Sequence, residues 1–407
     1  MSNPHTLVPR RATISDVARE AGTGKTSVSR YLNGELNVLS PELRARIEAA
    51  IERLDYQPNQ MARGLKRGRN RLIGMLVADL TNPYSVEVLQ GVEAACHALG
   101  LMPLICHAAN EVEMERRYLQ LLTTYRVEGV IVNALGVRDE TLRPVGEGGI
   151  PAVLVDRTVD GVVADLVGLD NTATAELGTR HLLERGFDDI WFVVQPFERV
   201  SSRRLREAAF RSVIEGQAHA RGRTVVLELG DAAAVEATLA ELDRALGSAL
   251  EAAPGAMPGA TPGVTLDFTT GATLDLVHGV PVDVTSGATP GSTPDAQSGA
   301  FPGHAHGTAA KGVSRLALFA ANAPVALCLA RHLNARYGAR WQERIALLSV
   351  DDPEWAEFAG ITTIRQPTYQ IGYRAVEFLH ERIEGVQTAV RDCLLPGELI
   401  VRASTSR

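Results

Sequence analysis

Residues 13–33 read TISDVAREAGTGKTSVSRYLN, and few folds can take such a stretch. Ile14, Val17, Ala18 and Ala21 recur on one face at helical spacing. Thr13 is placed to cap that helix, with Asp16 three residues on as a short-armed capping box. Gly22 then lets the chain turn where a side chain would strain it. A second helix is expected over 25–33, with Val28 and Leu32 turned inward. Its other face carries Lys25, Thr26, Ser27, Ser29 and Arg30, donors and acceptors suited to base edges and phosphates. Ser40 as cap and Pro41 in the first turn open a third helix over 41–54, with Leu43, Ile47, Ala50, Ile51 and Leu54 as its buried stripe. The basic segment NQMARGLKRGRNR (59–71) follows. The pattern is an all-α helix-turn-helix head joined by a charged hinge to a much larger body.

The charge distribution supports that division. Residues 1–70 hold 12 Lys and Arg against 7 Asp and Glu, net +5, whereas the remainder holds 29 against 41, net -12. A basic head on an acidic body suits a protein whose head alone meets phosphates. Two rival readings of the head are weaker. Charged helix faces are often only solvated, but the basic hinge adjoining this one argues against that. GTGKTS at 22–27 imitates the end of a phosphate-binding loop, yet Arg19 stands where the motif needs glycine, and no buried strand precedes it.

From Leu72 onward apolar runs alternate with amphipathic stretches. Strands are expected at 72–79, 101–107, 129–134, 151–156, 190–195, 225–229, 316–320 and 345–350, and helices at 84–100, 112–125 and 232–246. Such alternation specifies an α/β body of parallel sheets with helices on both faces. Ligands in such folds bind at the carboxyl ends of the strands. Polar residues gather there: Asp79, Asn82 and Tyr84, then Asn133, Asp156 with Arg157, Ser202 with Arg206, Asn322, Asp351 and Gln366. Amides donate and accept, and carboxylates accept from paired hydroxyls, so the set suits a polyol. Arg206 could add a bidentate contact to the carboxylate of a sugar acid. For Asp156, Asp351 and Asn133 the competing role is capping at strand-to-helix turns.

No G-x-G-x-x-G follows a strand, Ser201–Ser202 has no base near it in sequence, and the ten histidines are scattered. No catalytic group, cofactor or metal is expected. His304 and His306 read as solvated. Cys96, Cys106, Cys328 and Cys393 form no C-x-x-C pair, which points to a reducing compartment. MSNPHTLVPRR has no apolar stretch of signal-peptide length and no run of about 18 apolar residues occurs, so a cytoplasmic protein without membrane contact is expected. Residues 254–312 differ from the rest, with 11 Gly, 7 Pro and one Lys in 59 positions. They contain three eight-residue units (VTLDFTTG, ATLDLVHG, VPVDVTSG) and read as a long mobile insert.

TISDVAREAG, SVSRYLNG and YQPNQMARGL, in that order, together with LIGMLVADLTNPY, VEGVIVN, PAVLVDR, LFAAN, LLSVDD and TTIRQPTYQIG, resemble the lactose-repressor/galactose-repressor family of bacterial regulators. NPYSV and DLVGLDN are most similar to regulators of ketogluconate or gluconate utilisation. The resemblance implies a two-lobed, periplasmic-binding-protein-like body. Its divisions would be a DNA-binding head at 1–57, a hinge at 58–71, a first lobe at 72–168 and 367–391, and a second at 169–366 and 392–407. It implies that Lys25 and Thr26 read bases and that Ser27, Ser29 and Arg30 read or hold the backbone. Asn59, Ala62, Arg63 and Leu65 would belong to a hinge helix, with Leu65 and Ala62 entering the minor groove. Effector contacts would fall on Tyr84, Asn133, Asp156, Ser202, Arg206, Asn322, Asp351 and Gln366. Four positions depart from the family pattern. Gly24 replaces a capping serine, Gly64 weakens the hinge helix, and Ala109 and Ala323 stand where relatives carry ligand-contacting or acidic residues.

The resulting expectation is a homodimeric or tetrameric repressor, bound to a pseudo-palindromic double-stranded DNA operator and controlled by a small sugar or sugar acid. The rival from another class is a sugar-binding protein or sugar-acting enzyme with a non-functional head.

Overall fold

The computed structural model describes residues 11–58, 69–133, 149–159, 162–198, 200–251 and 315–406. The hinge positions Asn59, Ala62, Arg63, Gly64 and Leu65 and the insert at 254–312 lie outside the described residues.

The head consists of α1 (Ile14–Glu20), α2 (Lys25–Leu32) and α3 (Pro41–Arg53). The Asp16 carboxylate accepts both the Thr13 backbone N–H (2.9 Å) and its hydroxyl (2.6 Å), closing the start of α1. Gly22 turns at φ +60°, in the left-handed region that glycine enters without strain. Gly24 caps α2 with no side-chain bond, whereas Ser40 Oγ accepts from the Leu43 N–H (3.3 Å) at the start of α3. Val17, Ala18, Ala21, Val28, Ile47 and Ala50 are buried together, so the apolar stripes of the three helices meet in one small core.

The body begins with β1 (Leu72–Val77), α4 (Pro83–Leu99), β2 (Met102–His107), α5 (Val112–Thr124), β3 (Gly129–Asn133), β4 (Ala152–Val155) and β5 (Asp165–Leu169). The chain then enters a second lobe with α6 (Asn171–Glu184), β6 (Asp189–Val194), α7 (Ser201–Glu215), β7 (Arg221–Val226) and α8 (Ala232–Glu251). After the insert come β8 (Leu316–Ala320), α9 (Ala323–Tyr337), β9 (Ala346–Val350), α10 (Glu354–Phe358) and β10 (Thr362–Arg365). The end of the chain is α11 (Thr368–Ile383), β11 (Asp392–Leu395) and β12 (Glu398–Ile400). Residues 242–314 form a separate unit, of which only the end of α8 is described.

Two six-stranded sheets result, ordered β11-β5-β4-β3-β1-β2 and β12-β10-β9-β8-β6-β7. All described pairings are parallel except β10 with β12. In the first sheet Ile73, Met75 and Val77 face α4 and α11, while Leu76 and Leu154 face α5. The inner strands β1, β3, β4 and β5 are covered on both sides, which is why they read as continuous apolar runs. Gly91 on α4 and Gly372 on α11 let these helices touch backbone to backbone. A Cβ on Gly91 would lie 2.0 Å from the Tyr369 carbonyl oxygen, and one on Gly372 would lie 2.0 Å from that of Val88.

Several expected boundaries shift. β7 starts at Arg221 instead of near 225. It is an edge strand paired from Asp189↔Arg221 to Val194↔Val226, and its first half is exposed and charged, so hydrophobicity marks only its far end. α8 runs five residues past 246, to Glu251. The short strands β5, β10, β11 and β12 carry too little periodicity to be picked out in advance. Residues 392–395 were expected in the second lobe, but β11 pairs with β5 in the first sheet, and the chain crosses only at Pro396–Gly397. Close packing fixes that crossing: a Cβ on Gly397 would lie 2.7 Å from Ile364 Cγ2.

Candidate functional site

The lobes meet along a cleft of about 540 Å³ at the carboxyl ends of the strands. Tyr84, Asn133, Asp156, Ser202, Arg206, Asn322, Asp351 and Gln366, which are far apart in sequence, all line it. Their placement follows from the fold. Asn133 ends β3 and Asp156 follows β4. Ser202 and Arg206 lie one turn apart on α7, Asn322 caps α9, and Gln366 stands where the chain recrosses to α11.

Asp156 and Asp351 occupy matching positions in the two lobes. Both have positive φ, +71° and +76°. Each gives its backbone N–H to the next strand, Asp156 to the Val167 carbonyl (3.1 Å) and Asp351 to that of Ile364 (3.0 Å). Aspartate tolerates this conformation better than most residues, and it swings each carboxylate into the cleft. Asp156 pairs with Arg157 (3.2 Å) and accepts the Ser202 hydroxyl (3.3 Å) from the opposite lobe. Asp351 accepts from the Ala323 N–H at the start of α9 (2.9 Å) and from Gln366 Nε2 (2.5 Å). The capping role thus applies to one oxygen of Asp351 and not to Asp156. Asn133 donates to the Val155 carbonyl (3.2 Å). Asn322 uses both ends of its amide, accepting from the Val325 N–H (3.1 Å) and donating to Gln195 Oε1 (2.8 Å).

Burial raises the Asp351 carboxyl above its ordinary value despite the nearby charge of Arg206. Burial, with the charge of Asp156, also raises the Tyr84 hydroxyl well above its ordinary value. Three polar atoms on this cleft are buried and find no partner among the described residues: Tyr84 OH, Arg157 Nη1 and Gln366 Oε1. Each unsatisfied group costs about 1–3 kcal/mol, which a hydrogen-bonding ligand would offset. Residues that the sequence did not single out as contacts also line the wall: Arg157, Gln195 and Arg203, with Asn110 and Glu228 toward the rim. Helical spacing from Ser202 and Arg206 could have indicated Arg203. Gln195 carried no signal of its own.

On the head, Lys25, Thr26 and Arg30 are exposed, while Ser27 and Ser29 are half-buried along the same helix. Arg30 is held only loosely by Glu35 (4.0 Å). The outer face of α2 is therefore free to meet a partner. Among the described residues no group of His, Cys, Asp and Glu is arranged to hold a metal, and no helix is long and apolar enough to cross a membrane.

Comparison with known proteins agrees with this architecture. Residues 13–59 match the model for bacterial regulatory proteins of the lacI family. Residues 70–217 match periplasmic binding proteins and the sugar-binding domain of that family, and 278–405 match a periplasmic-binding-protein-like domain. The HTH-type transcriptional regulator PtxS of Pseudomonas aeruginosa is 37% identical over 397 residues, covering 97% of this chain and 96% of its own. The HTH-type transcriptional regulator KdgR of Bacillus subtilis is 29% identical over 395 residues, covering 96% and 97%. The lac repressor dimer bound to operator and the anti-inducer ONPF superposes with a TM-score of 0.70 at 20% identity, over 97% of this chain and 99% of that one. Head, cleft and full-length similarity converge: the chain belongs to the lacI family of bacterial regulatory proteins, a transcriptional regulator and not an enzyme.

Proposed function

We propose that the protein represses transcription by binding a pseudo-palindromic operator as a homodimer, and that a small sugar or sugar acid in the cleft controls that binding. The observation that carries this reading is the cleft itself, where eight polar residues and three unpaired buried atoms converge in a chain that also presents an unobstructed recognition helix. Lys25 and Thr26 would read base edges, with Ser27, Ser29 and Arg30 on bases or phosphates. Asn59, Ala62, Arg63 and Leu65 would add minor-groove and backbone contacts. Such a regulator acts in the cytoplasm, with its operator.

A dimer is favoured by the strands β2 and β7, equivalent edges of the two sheets that carry exposed apolar groups: Met102, Ile105 and Val226. A route from cleft to hinge is available along α11. Its first residues follow Gln366, and its end holds the segment leaving the hinge. Arg69 pairs with Glu384, Asn70 Nδ2 donates to the Arg126 carbonyl (2.8 Å), and the Arg71 N–H donates to Glu128 (2.6 Å). A change in lobe angle would move these anchors and separate the paired hinges.

Gel-shift titration with the gene's own promoter against random duplex tests the reading. Specific binding should fall steeply with salt, and Arg30→Ala should abolish it while sugar-acid binding persists. Equal affinity for both duplexes, under every candidate metabolite, would refute it.

A further inference from the structure

Residues 69–71, which lead into β1, each bond a different part of the first lobe. Arg69 pairs with Glu384 and gives Nη2 to the Ile383 carbonyl (3.4 Å), both at the end of α11. Asn70 uses both ends of its amide: Nδ2 donates to the Arg126 carbonyl (2.8 Å), and Oδ1 accepts from the Leu72 N–H (3.0 Å). The Arg71 peptide is held between the beginnings of two strands. Its N–H donates to Glu128 (2.6 Å), just before β3, and its carbonyl accepts from the Met102 N–H (2.8 Å) at the start of β2. The Arg71 guanidinium lies beside Gly100 at the end of α4, where a Cβ would stand 2.7 Å from Nη1.

Arg71 makes these bonds with φ at +57°, in the left-handed region that a residue with a Cβ rarely enters. Six other non-glycine residues share that conformation among the described residues. Asp55 and Arg126 follow the last turns of α3 and α5, where a left-handed residue commonly ends a helix. Asp156 and Asp351 lie in the cleft, and Ala109 and Asn110 turn at its rim. Arg71 alone neither ends a helix nor borders the cleft. Such a conformation persists only where the surroundings over-determine it, and it concentrates where a mechanism needs fixed geometry. Here the bonds to Glu128 and Met102 fix it, and the neighbouring Asn70 amide ties the segment to a second left-handed residue, Arg126.

We propose that Asn70 and Arg71 form a rigid joint between body and head, in which the left-handed Arg71 backbone fixes the angle at which the chain leaves the first sheet. The proposal rests on operator binding being controlled from the body. The Arg69–Glu384 pair is exposed on both sides and contributes little by itself. Asn70 and Arg71 are positioning residues, acting through the backbone and touching neither operator nor effector. A slack link in their place would let head and body move independently, and coupling would vanish while both parts stayed folded. Coupling between two sites is reciprocal, so an operator held by the head should be felt in the body.

The test uses the full chain, a duplex of the gene's own promoter, and hydrogen exchange read by mass spectrometry. In wild type the duplex should slow exchange in the head. It should also slow exchange, by about tenfold, at 102–107 and 128–133 beside the joint and at 152–156 by the cleft. Arg71→Pro, whose ring holds φ at about -65°, and Asn70→Ala should keep the protection of the head and lose that of the body. Arg71→Gly, which enters the left-handed region freely, should keep both and melt no lower than wild type. Body protection that survives in Arg71→Pro or Asn70→Ala overturns the proposal, whatever the melting temperature. So does its loss in Arg71→Gly, since the side chain and not the backbone would then carry the coupling. Wild type that binds the promoter but is protected only in the head leaves a regulator without this joint. Wild type with no preference for the promoter over random duplex refutes the regulator reading, and the joint falls with it.

Discussion

The two lobes place an aspartate at the same point of the same strand arrangement, in the same left-handed backbone conformation, and then treat it oppositely. In the first lobe Asp156 is followed by Arg157, which neutralises it. In the second, Asp351 is followed by Asp352, and the lobe's arginines Arg365 and Arg402 serve that neighbour instead, at 2.8 Å and 2.6 Å. Burial works against ionised Asp352, yet the bonds from Arg402, Thr363 and Arg365 outweigh it and lower its carboxyl. Asp351 has only an amide and a backbone N–H, and burial raises it. A shared backbone thus holds one acid beside a guanidinium and one whose carboxyl burial raises above its ordinary value. Topology sets where the carboxylates stand, and the residues packed around them set their partners.

The largest test of this contrast lies in the helices beneath. Gly372→Ala should destabilise the first lobe by more than about 3 kcal/mol in chemical denaturation, because its Cβ would strike the Val88 carbonyl and backbone cannot step aside. Gly178→Ala in the second lobe should cost far less. The atoms nearest its Cβ belong to the Phe319 and Ile364 side chains and not to backbone, and alanine also favours a helix by about 1 kcal/mol. Equal losses would mean that the helix contact is not the constraint.

Next in size is Asp165, fully buried between Arg382 and Arg391, where it ties α11 and the approach to β11 onto β5. Burial raises its carboxyl, but the bonds from the two arginines prevail and hold it at about 2. Its folded value therefore lies below the unfolded one. Its contribution is complete above about pH 4 and lost as pH falls toward 2. Asp165→Asn should cost about 2–3 kcal/mol at neutral pH and flatten the acid limb of a stability–pH profile.

The cleft aspartates should give smaller effects of differing sign. Asp156→Asn removes the charge facing Arg157 and should cost about 1–2 kcal/mol in thermal denaturation. Asp351→Asn should cost nothing or stabilise slightly. The new amide still accepts from Ala323, and a turned Gln366 offers it the unused Oε1. Since the folded Asp351 carboxyl lies above the unfolded value, wild type loses stability as pH rises through it, and the variant should not. Similar losses for both substitutions would erase the distinction between the lobes.

How much was legible beforehand varies with the range of the interaction. The head was readable almost to the residue, since Thr13, Gly22, Ser40 and Pro41 act within one turn. The buried strands were readable because coverage on both faces demands uninterrupted apolar runs. The half-exposed β7 and the short strands around the last crossing were not, because their partners lie far along the chain. All eight expected contact positions reach one cleft, but Arg157 and Arg203 joined them only once the fold was known.

By itself, then, the sequence determined the helix-turn-helix head, the α/β body and which strand ends carry polar groups, because periodicity and capping are local. Only the tertiary structure decided that Arg206 gives Nε to Asn171 and Nη1 to the Ala321 carbonyl, and that Asp351 is desolvated while Asp156 is paired. Charge state and hydrogen-bond supply depend on atoms brought within a few ångströms from distant segments, and no local pattern encodes that proximity.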